Sequence, residues 1–372
     1  MKNAGHDKAT GSRWIGVVVL LLIILIIGLG VFYGTRPSEA PAPSPQAASA
    51  PSEAPTYADK KSVSVSALSS PYSHAAQGNL SICSFNIQFL GSSKDRDNDA
   101  LASILNHYDL VVIQELVAPP YPGVFPNGER YKPDPESKCF FDAMKALGFD
   151  YILSEEDTGT GDTIHSNGTN TEWFVAFFRA NRVRRAADLP SGFLAEDRSN
   201  NKDYERVPYA FAFRTTSKTL DFVLISVHLQ PTSGPANRAR RKHELASIAT
   251  WINRHNEKEK DFIILGDMNI DNAAELADDT PPGLLSLNYE CRPTNTNCRD
   301  PKPYDHIMFN PRFTVEIDRR MDVVNLVEAM RGFWHQPGDY PGDPYNHDEF
   351  RKHYSDHCPV VFQMMIPEVD DD

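Results

Sequence analysis

One stretch constrains this chain more than any other. No charged residue stands between Trp14 and Thr35, and residues 15–33 read IGVVVLLLIILIIGLGVFY. At about 1.5 Å of rise per residue, a helix of this length covers roughly 28 Å, close to the hydrocarbon core of a bilayer. A cleaved signal peptide has a shorter apolar region, about 7–15 residues, ending at a small-x-small site. Here Pro41 directly follows the Ser38-Glu39-Ala40 candidate. The run therefore reads as an uncleaved single-pass transmembrane helix. Lys2, Lys8 and Arg13 precede it and only Arg36 follows closely. The positive-inside rule then leaves residues 1–14 in the cytoplasm and the remainder periplasmic or extracellular.

Residues 34–78 are rich in Pro, Ala and Ser and carry no apolar periodicity. Such a segment buries too little surface to offset its ordering entropy and is expected to be a tether. The folded domain is expected over residues 79–367, ahead of an acidic tail at 368–372. Across all 372 residues, 37 Lys and Arg stand against 50 Asp and Glu, a net charge of −13. That balance excludes a protein whose whole surface wraps nucleic acid, but not a local basic groove. The five cysteines form no CxxC pair, so a structural zinc site is not expected. Cys291 and Cys298 flank a polar loop, and a disulfide between them is expected if that loop lies outside the cytoplasm.

Within the domain, short Val-, Ile- and Phe-rich runs alternate with amphipathic segments. The runs predict strands at residues 80–87, 110–114, 149–153, 173–179, 209–214, 222–229, 262–268, 306–309 and 359–364. Helices are expected at residues 97–108, 137–147 and 237–255. In the last, Leu245, Ile248, Ala249 and Ile252 make one apolar stripe. This mixture suggests sheets with helices packed outside.

Acidic, amide and imidazole side chains recur where these strands begin or end: Asn86, Glu115, Glu172, His228, Asp267, Asn269, Asp305, Asp356 and His357. Any one of them alone reads as a polar turn or cap. Together they suggest convergence on one sheet edge, because such groups are costly beside apolar runs unless partnered. Glu115, Asn86 and Asp356 offer the oxygen donors that Mg²⁺, Mn²⁺ or Ca²⁺ prefers. Histidines matched with carboxylates suit proton transfer. No P-loop, GxSxG elbow or HExxH motif is present, which argues against ATP-driven chemistry and serine hydrolysis.

In order, SFNIQ, VVIQE, SVHLQP, GDMN, YDHI and SDHCPV resemble the endonuclease/exonuclease/phosphatase superfamily, over about residues 80–364. The resemblance implies an α/β (α+β) fold, a four-layer αββα sandwich of two packed mixed sheets flanked by helices. It also implies divalent-metal-dependent hydrolysis of phosphoesters, with Mg²⁺ as the expected ion and Mn²⁺ or Ca²⁺ as alternatives. The His228 position is similar to the two-histidine branches, and Arg206 in ERVP is similar to the phosphate-contacting arginine of the deoxyribonuclease I-like branch. Two DNA-groove positions depart from that branch. LVAPP follows Glu115 without an arginine, and Asn170 replaces an aromatic two residues before Glu172.

The resemblance implies Glu115, Asn86 and Asp356 as metal ligands. It implies Glu172–His228 and Asp305–His357 as acid/base pairs, Asp267 at the water, and Asn269 and Arg206 at the phosphate. The expected substrate is DNA, with RNA as an alternative. A sphingomyelinase-like or phosphoinositide phosphatase-like lipid phosphoesterase is the second reading, for which the YPGVF stretch at residues 121–125 is the membrane-dipping candidate. Two basic runs, Arg179 to Arg185 and Arg238 to Lys242, are either solvated faces or phosphate tracks. Nothing points to a protein partner beyond the membrane, and a monomer is expected.

Overall fold

A computed structural model of the chain describes residues 78–159, 165, 171–335, 340 and 345–370. Residues 1–77, which carry the expected cytoplasmic segment, span and nearly all of the tether, lie outside the described residues, as does Asn170. Among the described residues no helix is long and apolar enough to cross a membrane.

The strands are β1 (Asn79–Leu90), β2 (Leu110–Leu116), β3 (Gly123–Val124), β4 (Arg130–Tyr131), β5 (Asp150–Leu153), β6 (Trp173–Phe178), β7 (Val183–Arg185) and β8 (Gly192–Phe193). They continue with β9 (Tyr209–Thr215), β10 (Asp221–His228), β11 (Phe262–Asp267), β12 (Leu285–Ser286), β13 (Asp305–Phe309), β14 (Asp322–Val323) and β15 (Val360–Met365). The α-helices are α1 (Asn98–Leu105), α2 (Pro135–Ala146), α3 (Pro235–His255), α4 (Ala273–Asp279), α5 (Leu326–Ala329) and α6 (His347–His353). Each expected apolar run forms a strand and each expected amphipathic segment a helix. Local chemistry sets helix starts: Asp97 accepts from Ala100 N, and Asp134 accepts from Glu136 N ahead of Pro135.

Two mixed sheets form. One runs β14-β15-β1-β2-β6-β5 and the other β12-β13-β11-β10-β9-β7, with β8 also on β9. Leu80, Ile82, Val112 and Phe174 of the first sheet pack against Phe211, Leu224, Ile263 and Ile307 of the second. The outer face of the first sheet packs on α1 and α2 through Phe85, Val111, Leu101 and Phe141. The outer face of the second packs on α3 and α4 through Ile225, Ile264, Leu245 and Leu276. The result is the four-layer αββα sandwich.

Register carries chemistry to one end of both sheets. In the first sheet β1 and β2 run parallel, so Asn86 and Glu115 leave it at the same end. In the second, parallel β10 and β11 set His228 opposite Asp267, and antiparallel β13 sets Asp305 opposite Asp267. A buried polar layer locks the sheets together just beneath. Ser84 Oγ donates to Gln114 Oε1 at 3.3 Å, and Gln114 Nε2 donates to Ser226 Oγ at 3.1 Å across the interface.

Gly266 precedes Asp267 with φ of +135°, and a Cβ there would lie 2.2 Å from Val227 O. Only glycine lets β10 and β11 approach this closely where His228 and Asp267 face each other. Gly266→Ala is expected to cost about 2 kcal/mol or more, through strain and overpacking. Thermal unfolding checks this, and an unchanged midpoint contradicts it.

Candidate active site

The ten side chains expected at the site gather at the shared end of the two sheets. Their centre is a row of alternating carboxylates and imidazoles. His228 Nδ1 lies 3.0 Å from Glu172 Oε1, and its Nε2 lies 3.5 Å from Asp267 Oδ2. On the other side of the same Asp267 oxygen stands His357 Nε2, also at 3.5 Å, while His357 Nδ1 lies 2.8 Å from Asp305 Oδ2. The row thus runs Glu172, His228, Asp267, His357, Asp305, and all five are buried. An isolated bridge between Asn295 and His357 brings the last imidazole into line.

Asn86 joins the row to the first sheet. Its Nδ2 donates to Glu115 Oε1 at 2.9 Å and to Asp267 Oδ2 at 3.1 Å. Glu115 sits at φ of +61°, where the pairing of β2 with both neighbours slips register. The bulge re-aims its side chain, a common device beside functional sites. Its backbone N donates to Glu172 Oε2 at 2.9 Å. Arg206 holds Glu172 from behind through Nε at 2.6 Å, and its Nη1 donates to His228 O at 3.5 Å. In this geometry the guanidinium positions the Glu172–His228 pair. Asn269, at φ of +51°, donates through N to Asp267 Oδ1 at 2.9 Å and through Nδ2 to Leu229 O at 3.2 Å.

Burial and charge compete here. Burial pushes the Glu172 carboxyl up, but His228 and Arg206 outweigh it and bring it down to about 2. Burial opposes the His357 imidazolium, yet Asp305 and Asp267 raise it well above its ordinary value. Burial and Arg206 likewise oppose His228, but Glu172 and Asp267 raise it. Burial raises Asp267 itself, against the pull of the two histidines. A Glu172 carboxylate held ionised beside imidazoles that favour their protons suits proton transfer.

The oxygen donors suit a hard cation. Asn86 Oδ1 and Asp356 Oδ1 are buried without a hydrogen-bond partner, a costly state for groups that nothing else satisfies. Ligand atoms of Glu115, His228 and Asp267 lie within 4.8 Å of one another. Of the three expected ligands, Glu115 belongs to that group, and Asn86 and Asp356 bring further oxygen donors of the kind a hard cation prefers.

Comparison with known proteins gives this site its family. Residues 83–357 match the model of the Endonuclease/Exonuclease/phosphatase family. The chain belongs to that family. Its members are hydrolases of phosphoesters and generally use divalent metals. Human deoxyribonuclease gamma is 21% identical over 196 residues, 51% of this chain and 56% of that relative, so the match spans about half the relative's length. A Bacteroides thetaiotaomicron family protein of known structure is 15% identical and covers 78% of this chain and 95% of its own, with a TM-score of 0.50. A mannosyl-6-phosphatase from the same organism is 16% identical, covering 76% of this chain and 98% of its own at a TM-score of 0.49.

Other expectations fare differently within this family fold. Arg179 and Arg182 belong to the far end of the sheets, where β1 and β2 begin. Arg179 donates to the carbonyls of Asn106 and Leu147 at the C-termini of α1 and α2, and Arg182 pairs with Asp109 at 3.1 Å. In the second run, Arg238 pairs with Asp278, Arg240 donates to the carbonyls of Asn201 and Lys202, Arg241 is buried on Glu275, and Lys242 donates to Asp278 O. Arg179, Arg182, Arg240 and Arg241 are thus engaged by the fold, whereas Arg184, Arg185 and Lys242 are exposed and Arg238 forms a surface ion pair. Phe125 of the YPGVF stretch is buried, stacked on His165 and Trp173, so that hairpin does not offer it to a membrane. Cys291 and Cys298 are both free thiols. The loop between them is drawn away, because Thr296 N bonds Asp356 O and Cys358 N bonds Thr294 O.

Some supporting residues were not legible in the sequence. Ser355 Oγ donates to Asn86 O at 2.8 Å and accepts from Gln88 N and His357 N, tying the segment that carries His357 to the functional end of β1. Glu244 of α3 accepts from Glu205 N at 2.7 Å and Gln230 N at 2.9 Å, clamping the segments beside Arg206 and His228. The helical period marks it as facing inward, but Glu reads as a surface residue until its two partners are known.

Burial raises the Glu244 carboxyl to about 7 from an ordinary 4.5, despite those two donors. The unfolded chain ionises this group first, so its contribution to stability is full below about pH 4.5 and is lost as pH rises to 7. The linkage amounts to roughly 3 kcal/mol. Glu244→Gln gives up one of the two acceptors, a loss that does not depend on pH, and relative to that offset it is expected to gain on wild type by an amount of this order as pH rises from 4.5 to 8. Urea unfolding across that range checks it, and parallel stability curves contradict it.

Proposed function

We propose that this chain is a metal-dependent phosphodiesterase that hydrolyses nucleic acid, DNA in the first place, with its catalytic domain held outside the cytoplasm by residues 15–33. The observation that carries the reading is the row of five alternating carboxylates and imidazoles beside three oxygen donors. The similarity to human deoxyribonuclease gamma supports DNA as the substrate class. The burial of Phe125 removes the aromatic ring of the membrane-dipping candidate and leaves Val124 as its exposed apolar side chain, which weakens the lipid alternative.

A divalent ion held by Glu115, Asn86 and Asp356 would neutralise phosphate charge and polarise the phosphoryl group. Around it, the chain's own residues handle protons and position. Asp305 bonds His357 at Nδ1 and Glu172 pairs with His228 on its Nδ1 side, and both Nε2 atoms face Asp267 Oδ2. Asp267 lies between them and is placed to align the attacking water and accept its proton. One imidazolium then protonates the leaving oxygen and the other donates to the phosphate. Asn269, held beside Asp267 in a left-handed conformation that asparagine tolerates, would contribute its amide to a phosphate oxygen.

The purified full chain, assayed side by side on plasmid DNA, RNA, sphingomyelin and a phosphoinositide, tests this reading. DNA is expected to be cleaved, with activity lost in EDTA and restored by Mg²⁺. His228→Ala and His357→Ala are each expected to lower turnover about 10²- to 10⁴-fold with the fold intact. Lipid turnover with intact DNA, or near-normal activity of both variants, contradicts it.

A further inference from the structure

We propose that Phe89 is a stacking platform for a flat ring of the substrate, a nucleobase next to the scissile phosphate. The proposal rests on the nuclease reading above and adds how the substrate is gripped.

Phe89 is 39% exposed at the site end of β1, and its backbone N donates to Glu115 Oε2 at 3.1 Å. Other large apolar side chains are exposed among the described residues, such as Val124, Tyr289 and Phe313. Phe89 is the one bonded to the carboxylate row's neighbour. It joins none of the three apolar clusters and takes part in no ring contact among the described residues. Its ring therefore lies outside the apolar cores of the described residues.

The backbone beneath it is costly. Phe89 sits at φ of +51°, a region that glycine or asparagine occupies far more readily than an aromatic residue. The surroundings hold it there. Phe89 O accepts from both N and Oγ of Ser92 at 3.1 Å. The next turn is fixed by Glu136 Oε2, which accepts from the backbone N of Gly91, Ser92 and Ser93. On the other side, Gln88 N donates to Ser355 Oγ and Gln88 O accepts from Arg96. A large ring exposed to water on an over-determined, unfavourable backbone conformation points to use by a ligand rather than by the fold. Its backbone N, bonded to Glu115, sets the residue at the edge of the site that a substrate phosphate would enter. Stacking on an aromatic face suits every base and needs no hydrogen-bond readout. The expected grip is therefore base-dependent but sequence-tolerant.

The test compares wild type, Phe89→Ala and Phe89→Trp in the full chain. The substrates are a short oligonucleotide and an oligomer of equal length built from abasic tetrahydrofuran units. Phe89→Ala is expected to raise KM for the base-containing substrate roughly 5- to 100-fold, with Phe89→Trp restoring it. The abasic oligomer is expected to show a KM already raised in wild type and insensitive to either change. A KM shift for Phe89→Ala below twofold, or equal shifts on both substrates, overturns the stacking role and leaves the nuclease reading standing. A wild-type enzyme that cleaves neither oligomer overturns the nuclease reading and this proposal with it.

Discussion

A single oxygen, Asp267 Oδ2, faces the Nε2 atoms of two histidines at 3.5 Å each. The rest of the structure can be understood as what it takes to hold that arrangement. His228 and Asp305 reach Asp267 because β10, β11 and β13 set all three in one cross-strand row. Asn86 reaches it from the other sheet, across the sandwich. A one-residue slip in any of these strands would turn its functional side chain to the opposite face. The buried Ser84–Gln114–Ser226 layer fixes the sheets just below the row.

Holding charge in a buried place distorts the backbone around it. Glu115, Asn269 and Phe89 all lie at positive φ, and Gly266 permits an approach that no other residue allows. Such conformations persist only where neighbours over-determine them. Here the neighbours are the buried Glu136, Ser355 and Glu244 and the half-buried Arg206, polar groups with several partners each. Removing one of them would leave donors or acceptors unsatisfied in the interior, which costs more than the bond itself is worth.

Much of this was legible in the sequence, for identifiable reasons. Strands such as FVLISVHL and FIILGDM are buried on both faces, and long apolar runs announce them. The site residues stood out because ionisable groups interrupt such runs at consistent ends. What stayed hidden depends on contacts distant in sequence. Arg179 reads as part of a basic patch until its partner carbonyls, on Asn106 and Leu147, are known. Glu244 is a surface residue by type and a buried clamp by context. Strands of two or three residues, such as β7, β12 and β14, carry too few side chains for any period to show. The expected Cys291–Cys298 disulfide failed because local spacing says nothing of the pairing that Thr294 and Thr296 make elsewhere.

The net charge of −13 also gains meaning from the fold. Part of it is a carboxylate set that two imidazoles, one guanidinium and a bound cation would balance, so an acidic protein can still take a polyanion. The central claim is that the five residues of the row act as one unit rather than as two independent pairs. Glu172 and Asp305, at its two ends, make this testable without touching the histidines. A double-mutant cycle in kcat/KM on DNA, using Glu172→Gln and Asp305→Asn, measures their coupling. A connected row predicts that the double variant loses little beyond the worse single one. Losses that simply multiply would show two pairs working separately and would contradict it.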